Sequence, residues 1–313
     1  MRLFSNTNYS FRNFRKIAFI ISGVLVLSSL ISEILHGGPR FGIDFRGGTF
    51  IELRFLDKND PAAPVTVPIE DVRNVFVQLG LGNSEIKNYG TPQDVSIQLD
   101  NSDDATMLNI KSQLEKAFPQ YDIQERRRET VGPKIGGELV LSAVYAILFS
   151  MLLILIYIMF RFEFRFGVGA IVALFHDIII TLGVFSLFNI EVTVPIIAAL
   201  LTIIGYSLND TIVVYDRIRE NMKTFKRKTG DFANLVNRSI NETLSRTIVT
   251  SGTTLMVVIV LYIFGGEVIK DFALALICGI GVGTYSSIFI ASPVLVEWEE
   301  RAKASEAVSV KKK

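Results

Sequence analysis

The sequence contains little of the chemistry on which most catalytic and metal-binding proteins depend. It has one cysteine and two histidines among 313 residues. A single cysteine excludes an internal disulfide framework and a thiolate metal site, and two histidines leave little room for a histidine-rich metal centre. The sequence also lacks a Walker motif, an HExxH motif and a nucleophile elbow. We therefore expect a protein that is not an enzyme, with no cofactor, no metal, no nucleotide hydrolysis and no nucleic-acid partner.

Apolar residues, in contrast, are abundant and clustered. They make up 50% of the chain, and the mean hydropathy is +0.40. They occur in blocks of about twenty residues, which is the length needed to cross a bilayer. We place six blocks, at residues 17–35, 140–160, 168–188, 194–215, 247–264 and 272–296. The sequence thus predicts an α-helical multi-pass membrane protein with six transmembrane helices.

The basic residues predict which side of the membrane each connection faces. Lysine and arginine are frequent in residues 1–16, in the long connection 216–245 and in the tail 297–313, but rare in residues 189–193 and 265–271. Cytoplasmic loops carry the excess of positive charge, so we expect both termini in the cytoplasm. The first block is too long for a signal peptide and no small-residue cleavage site follows it, so we expect it to remain as an anchor.

A polar segment, residues 36–139, separates the first two apolar blocks and must then lie on the side of the membrane opposite the cytoplasm. Its pattern predicts strands at 41–55, 85–89, 94–99 and 121–131, and helices at 69–79 and 103–118. This β-α-β-β-α-β order is typical of a ferredoxin-like α+β domain, whose two helices cover one sheet face and leave the other face for a partner. The arginine run at 126–128 is compatible with a partner, lipid headgroups or water as its neighbour.

Asp210 is the leading candidate for a functional residue. The fourth block carries Tyr206, Asn209 and Asp210, and Asp210 lies about 9 Å of helix rise inside the charged end that begins at Asp216. An ionisable group at such depth costs about 2.5–3.5 kcal/mol on insertion scales. Two interpretations remain open: a carboxylate that only packs helices together, or a titrating site on a proton path.

Arg246 is the expected partner of this carboxylate. If the fifth membrane helix begins near residue 240, Arg246 lies at the same depth as Asp210 on an adjacent antiparallel helix, so we expect the two to meet. The helix continues with a hydroxyl-rich stretch that includes Thr250. These hydroxyl groups either help membrane helices to pack closely or line a hydrated path to Asp210.

The third block contains two adjacent ionisable residues, His176 and Asp177. They could belong to a proton relay or form a polar pair that fixes helix packing. Adjacent helical residues point about 100° apart, so we do not expect both to serve one pathway.

Four motifs of the chain resemble a known family. They are GIDFRGGT at 42–49, VGPKIGGEL at 131–139, GYSLNDTIVVYDRIREN at 205–221 and SINETLSRTIVTSGTT at 239–254. Together they resemble the SecF family of bacterial protein-export membrane proteins, which belongs with the RND-type transporters. The resemblance covers residues 41–298 in the same order.

The resemblance implies a function as well as a fold. It implies one half of a twelve-span unit in the bacterial inner membrane, which uses the proton motive force for late translocation and release of exported proteins. The implied partners are SecD, the SecYEG channel, YajC, the unfolded exported polypeptide and membrane lipids.

The resemblance also assigns roles to residues. Asp210 and Arg246 correspond to a charged pair tied to proton coupling, with Asn209 beside it. It also matches Asp44, Gly47 and Gly48 to a motif that is expected to shape a turn or bulge at the base of the periplasmic domain. Independently of the resemblance, their positions in the sequence make His176, Asp177, Tyr206 and Thr250 candidates for a relay or for packing.

Two other functions remain compatible with the residues. One is half of an RND-like exporter of amphiphiles or lipids, although a domain of this size leaves little room for a substrate cleft. The other is a scaffold without proton coupling, for which a neutral isostere of Asp210 should have no effect.

Overall fold

The structure, a computed structural model, describes residues 7–100, 103–223 and 231–311, with side chains as far as residue 305. The basic residues at positions 2, 226–228 and 312–313 lie outside the described residues. The chain divides into two units, one formed by residues 1–40 and 145–313 and the other by residues 41–144.

The elements alternate between long helices and one block of mixed structure. In chain order they are α1 (Phe11–Leu35), α2 (Ile43–Arg46), β1 (Gly48–Asp57), α3 (Ile69–Gln78), β2 (Glu85–Tyr89), β3 (Thr91–Leu99), α4 (Asp104–Ala117), β4 (Tyr121–Val131), α5 (Pro133–Arg161), α6 (Phe164–Leu187), α7 (Val194–Met222), α8 (Phe232–Phe264), α9 (Glu267–Ser286), a π-helical turn (Ser287–Ala291) and α10 (Ser292–Lys311). Within the described residues, six helical segments are long and apolar enough to cross a membrane: α1, α5, α6, α7, α8 and the continuous segment that starts with α9. The predicted multi-pass fold is confirmed.

The helix that carries Arg246 begins earlier than the sequence predicts. It starts at Phe232 rather than near residue 240, because the Asp231 side chain caps it by accepting hydrogen bonds from the backbone amides of Ala233 and Asn234. Capping of this kind satisfies amides that have no partner within the helix. Arg246 therefore lies about four turns into α8.

Small residues set the packing of the membrane helices. A methyl group added at Gly183 of α6 would overlap Ser29 of α1, and one added at Gly279 of α9 would overlap Ile203 of α7. Close approach at small residues is how helices gain contact area in a bilayer. The apolar stretches of α6, α7 and α9 are 50–61% buried, whereas those of α5 and α8 are 6% and 17% buried. Helices α5 and α8 thus present most of their apolar surface to lipid or to another chain.

The second unit is built on a four-stranded antiparallel sheet. Its strand order is β2-β3-β1-β4, which is the ferredoxin-like order. Inward-facing side chains of β1 and β3 pack under α3 and α4 in one apolar core that includes Phe55, Val95, Phe76 and Leu114. The predicted β-α-β-β-α-β domain is confirmed.

One predicted strand is shorter than expected. Residues 43–46 form the short helix α2, and β1 begins only at Gly48. Gly47 and Gly48 have φ of +80° and +128°, which side-chain-bearing residues rarely adopt. A methyl group at Gly48 would also lie 2.5 Å from the Leu99 carbonyl oxygen. The glycine pair therefore forms a sharp turn between α2 and β1 rather than an interruption within a strand.

A buried ion pair crosses the sheet between β1 and β3. Arg54 donates two hydrogen bonds, of 2.6 and 2.7 Å, to the carboxylate of Asp94, and Thr91 donates a third of 2.7 Å. Asp94 is only 3% exposed. Burial raises the pKa of this carboxyl, but the hydrogen bonds from Arg54 and Thr91 outweigh burial and hold its pKa below the ordinary value.

Candidate functional site

Asp210 lies in the interior of the membrane unit. It is 1% exposed, and its Oδ2 accepts a hydrogen bond of 2.8 Å from the hydroxyl of Ser251 on α8. Thr284 of α9 is the next polar side chain near the carboxylate. Elements α7, α8 and α9 thus enclose the group, whose hydrogen bond comes from the neutral hydroxyl of Ser251. A carboxylate in such a setting can bind or release a proton without breaking a strong ion pair.

The structure does not bring Arg246 into contact with Asp210. No nitrogen of Arg246 lies within 4.0 Å of the carboxylate, although the two charges are close enough for longer-range electrostatic attraction. Arg246 is exposed and lines a cavity of about 530 Å³ together with Asp216, Arg217 and Glu242. The expected ion pair is absent from this structure, and a coupling role for Arg246 stays a prediction.

The other predicted neighbours of Asp210 are divided between inward and outward positions. Asn209 is exposed, whereas Asp210 beside it on α7 is buried. Tyr206 donates a hydrogen bond of 3.2 Å to the hydroxyl of Thr254 on α8. The Thr254 hydroxyl in turn donates to the backbone carbonyl of Thr250. These contacts tie α7 to α8 beside the site but do not touch the carboxylate.

The residue that sequence reasoning missed is Ser251. It stood in the hydroxyl-rich stretch of α8 but was not singled out, and it is the side chain that bonds Asp210. Thr247, one turn earlier on α8, is buried and its hydroxyl has no hydrogen-bond partner in the described part of the chain. The turn spacing of the two hydroxyls was the available signal, since residues three or four apart share a helix face.

His176 and Asp177 form a second buried polar cluster. Asp177 is 0% exposed and accepts hydrogen bonds from His176 Nδ1 (2.9 Å), from Ser207 of α7 (2.6 Å) and from Ser286 of α9 (2.8 Å). The two side chains therefore form a polar pair, which is one of the two interpretations of the sequence, and the expectation that they do not serve one pathway stays a prediction. Although their Cβ atoms point in different directions, their side chains bend toward each other and meet.

The two carboxylates share the same pair of helices. On α7, Ser207 bonds Asp177 and lies one turn before Asp210. On α9, Ser286 bonds Asp177 and Thr284 lies near Asp210. The pair α7–α9 thus has Asp177 of α6 on one side and Ser251 of α8 on the other, so a shift of these helices alters both clusters.

The motif residues Asp44, Gly47 and Gly48 lie in the other unit. Asp44 is in the first turn of α2, and the two glycines form the turn that follows. The methyl group that alanine would add at Gly47 would come within 2.9 Å of Pro133, at the start of α5. Their placement is that of a structural turn. In the described part of the chain, no three His, Cys, Asp or Glu side chains are grouped so as to hold a metal ion.

Comparison with known proteins identifies the family. Residues 109–301 match the model of the family described as protein export membrane protein SecD/SecF, C-terminal. The protein translocase subunit SecF of Rhodothermus marinus is 46% identical over 312 residues, which cover 97% of each chain. This chain belongs to the SecD/SecF family. The SecF subunit of Desulfurispirillum indicum is similar too, with 48% identity over 93% of this chain and 92% of its own.

A solved SecD/SecF structure has the same fold. The crystal structure of SecDF from Thermus thermophilus, described as a translocon-associated membrane protein, superimposes with a TM-score of 0.82 at 39% identity. The match covers 94% of this chain and 39% of the SecDF chain. A second SecDF structure, in a super-membrane-facing form, gives a TM-score of 0.70. This chain is therefore similar to a part of the longer SecDF polypeptide, and the family predicted from its motifs is confirmed.

Proposed function

We propose that this chain is the SecF half of a proton-driven accessory complex that promotes late translocation and release of exported proteins. The observation that carries the proposal is Asp210, a carboxylate buried at 1% exposure in a membrane helix and bonded by a neutral hydroxyl. The chain belongs to a family that includes translocase subunits, and this membership suggests the process that the proton would serve.

Proton movement through Asp210 supplies energy on the scale of a conformational change. One charge that crosses 100 mV carries about 2.3 kcal/mol. That amount shifts the balance between two packings of a helix bundle, but it is too small to pull a long polypeptide in one step. The proton therefore acts by biasing a helix rearrangement, which the periplasmic unit passes on to the exported chain.

Arg246 gives this rearrangement a direction. A cation that approaches a carboxylate favours its ionised form. In the proposed cycle Asp210 takes up a proton while Arg246 stays in its charged cavity, as in this structure, and releases the proton when the guanidinium approaches. The cycle needs no nucleotide hydrolysis, which agrees with the lack of nucleotide motifs in the sequence.

The proposed assembly follows from the family and from the exposed surface. The largely exposed apolar faces of α5 and α8 suit contact with SecD. SecYEG, YajC, lipids and the unfolded exported chain complete the proposed set of partners. We place the complex in the inner membrane with both termini of this chain in the cytoplasm, and residues 36–139 in the periplasm.

Release of a secreted protein from spheroplasts tests the proposal. We expect Asp210→Asn to slow release, and we expect an uncoupler to add no further defect. Glu297→Gln is the control, because it neutralises an exposed carboxylate that pairs with Arg301 one turn along α10. If Asp210→Asn assembles with its partner and keeps wild-type, uncoupler-sensitive release, the carboxylate only packs helices.

A further inference from the structure

The cluster around Asp177 is arranged for an ionised carboxylate. All three groups that bond it can donate: His176 Nδ1, Ser207 and Ser286. An ionised aspartate can only accept hydrogen bonds, so this set of donors suits the charged form and places a proton on Nδ1 of His176. Three donors from three helices offset part of the cost of keeping a charge at 0% exposure.

The other nitrogen of the imidazole has no partner. His176 is 6% exposed, and its Nε2 makes no hydrogen bond in the described part of the chain. Tyr285 stacks on the ring at 6.1 Å, but its hydroxyl is engaged with Ser22 and with the carbonyl of Ala18 on α1. An unpaired polar group in a protein interior is unfavourable, because it has lost its hydrogen bonds to water without replacing them. Such a nitrogen has an open lone pair that packing alone does not require.

We propose that His176 and Asp177 form a second proton-binding site, in which Nε2 takes up and releases a proton. The N–H bond at Nε2 forms with a proton that water delivers, and on release the proton returns to water. The cluster therefore gains one positive charge when the proton is bound. Asp177 keeps the resulting imidazolium paired at 2.9 Å. The purpose of this second site rests on the proposed proton coupling, but the test of proton binding at His176 does not depend on that proposal.

The surroundings leave Asp177 as the dominant charge at the ring. From α1 the neighbour of the stacked tyrosine is Ser22, and from the π-helical turn Phe289 stacks on Tyr285. From α9 come Tyr285 and Ser286, and from α7 comes Ser207, with the carboxylate of Asp210 one turn further along. Since Asp210 is the nearest acidic residue to Ser207 along α7, loading one site changes the electrostatic free energy of loading the other.

Nuclear magnetic resonance of the histidine rings tests the proposal directly. The chain has two histidines, so His36→Gln leaves His176 as the single ring signal in full-length protein with ¹⁵N-labelled histidine in lipid nanodiscs. We expect the Nε2 resonance to change from pyridine-like to pyrrole-like between pH 9 and pH 5, while Nδ1 stays protonated throughout. An Nε2 resonance that stays pyridine-like over this range overturns the proposal.

A second variant separates a charged pair from a merely structural contact. Asp177→Asn keeps the size of the side chain but removes its charge, so at a fixed pH the doubly protonated fraction of His176 should fall at least two-fold. An unchanged fraction overturns the role of Asp177. The resonance of the ring is measured independently of protein export. A titrating ring together with normal release by Asp210→Asn would support this inference and contradict the proposed function. A ring that does not titrate together with slow release by Asp210→Asn would do the opposite.

Discussion

Replacing Arg54 with methionine should destabilise the sheet of the ferredoxin-like unit by about 2 kcal/mol. The change removes two hydrogen bonds of 2.6 and 2.7 Å from a carboxylate that is 3% exposed, and leaves only the hydroxyl of Thr91. Losing one partner of a fully buried ion pair costs about 3–5 kcal/mol. The Arg54 side chain is 26% exposed, so water reaches the site, and we therefore place the cost below that range, at about 2 kcal/mol.

The effect should depend on pH in a defined direction. The pKa of Asp94 lies below its ordinary value in the folded protein. The ion pair therefore contributes its full stability above the unfolded pKa of about 3.9 and loses it as the pH falls through the folded value. In Arg54→Met burial raises the pKa of Asp94 without the arginine to oppose it. Acidification then protonates the buried carboxylate and relieves the penalty, so the difference between wild type and variant shrinks at low pH.

Hydrogen exchange of the full-length chain measures this difference. At pH 7 the amides shared by β1 and β3 should exchange about 30-fold faster in Arg54→Met, which corresponds to 2 kcal/mol at about 1.4 kcal/mol per factor of ten. Lys87→Met is the control, since Lys87 pairs with Glu85 at 3.5 Å and is half exposed. A change below about two-fold at pH 7, or a difference that does not shrink as the pH falls below the unfolded pKa of about 3.9, would refute the reasoning.

Three further substitutions test other contacts. Gly48→Ala should destabilise the ferredoxin-like unit by about 2 kcal/mol or more, because φ of +128° and a backbone oxygen 2.5 Å from the new methyl group both oppose it; hydrogen exchange of β1 measures the loss. Gly183→Val should disrupt the packing of α6 on α1, where Ser29 occupies the space; the yield of folded protein in mild detergent should fall several-fold. Ser251→Ala removes the hydrogen bond to Asp210 and should slow spheroplast release by about three- to sixteen-fold, since such bonds contribute about 0.6–1.7 kcal/mol in membrane proteins.

Each of these changes has a matched control within the chain. Gly132→Ala and Gly23→Ala place methyl groups where no atom lies within 4 Å, so they should leave exchange and yield unchanged. Thr253→Val removes an exposed hydroxyl that bonds only the backbone of its own helix, so protein release should stay at the wild-type rate. If the control variants are as defective as the test variants, these regions tolerate no substitution. The defects could then not be attributed to the specific contacts named above.

The membrane architecture could be predicted because the bilayer imposes it on the sequence. Apolar blocks of the required length marked the six spans, and period-two and helical patterns marked the ferredoxin-like unit. Helix α2 was missed because the adjacent Gly47 and Gly48 looked like a break within a strand, while their positive φ values close a turn. The early start of α8 was missed because Asp231 caps a polar extension that hydropathy does not detect.

The site was predicted less completely because it depends on contacts between helices. Depth and charge singled out Asp210, but which hydroxyl bonds it depends on the rotation of α8, and Ser251 was not distinguished from its neighbours. A polar pair of His176 and Asp177 was one of two interpretations, and the sequence did not decide between them because helix geometry fixes the direction of Cβ but not the side-chain rotamer. Ser207 and Ser286 joined that cluster only through tertiary packing.

Proton entry into proteoliposomes tests the central claim most directly. The full-length chain is reconstituted with SecD in vesicles that hold a pH-sensitive dye, and a membrane potential is imposed. We predict that wild type and Glu297→Gln acidify the lumen and that Asp210→Asn does not. Equal acidification by wild type and Asp210→Asn, with both complexes assembled, would contradict the account and place the proton path away from Asp210.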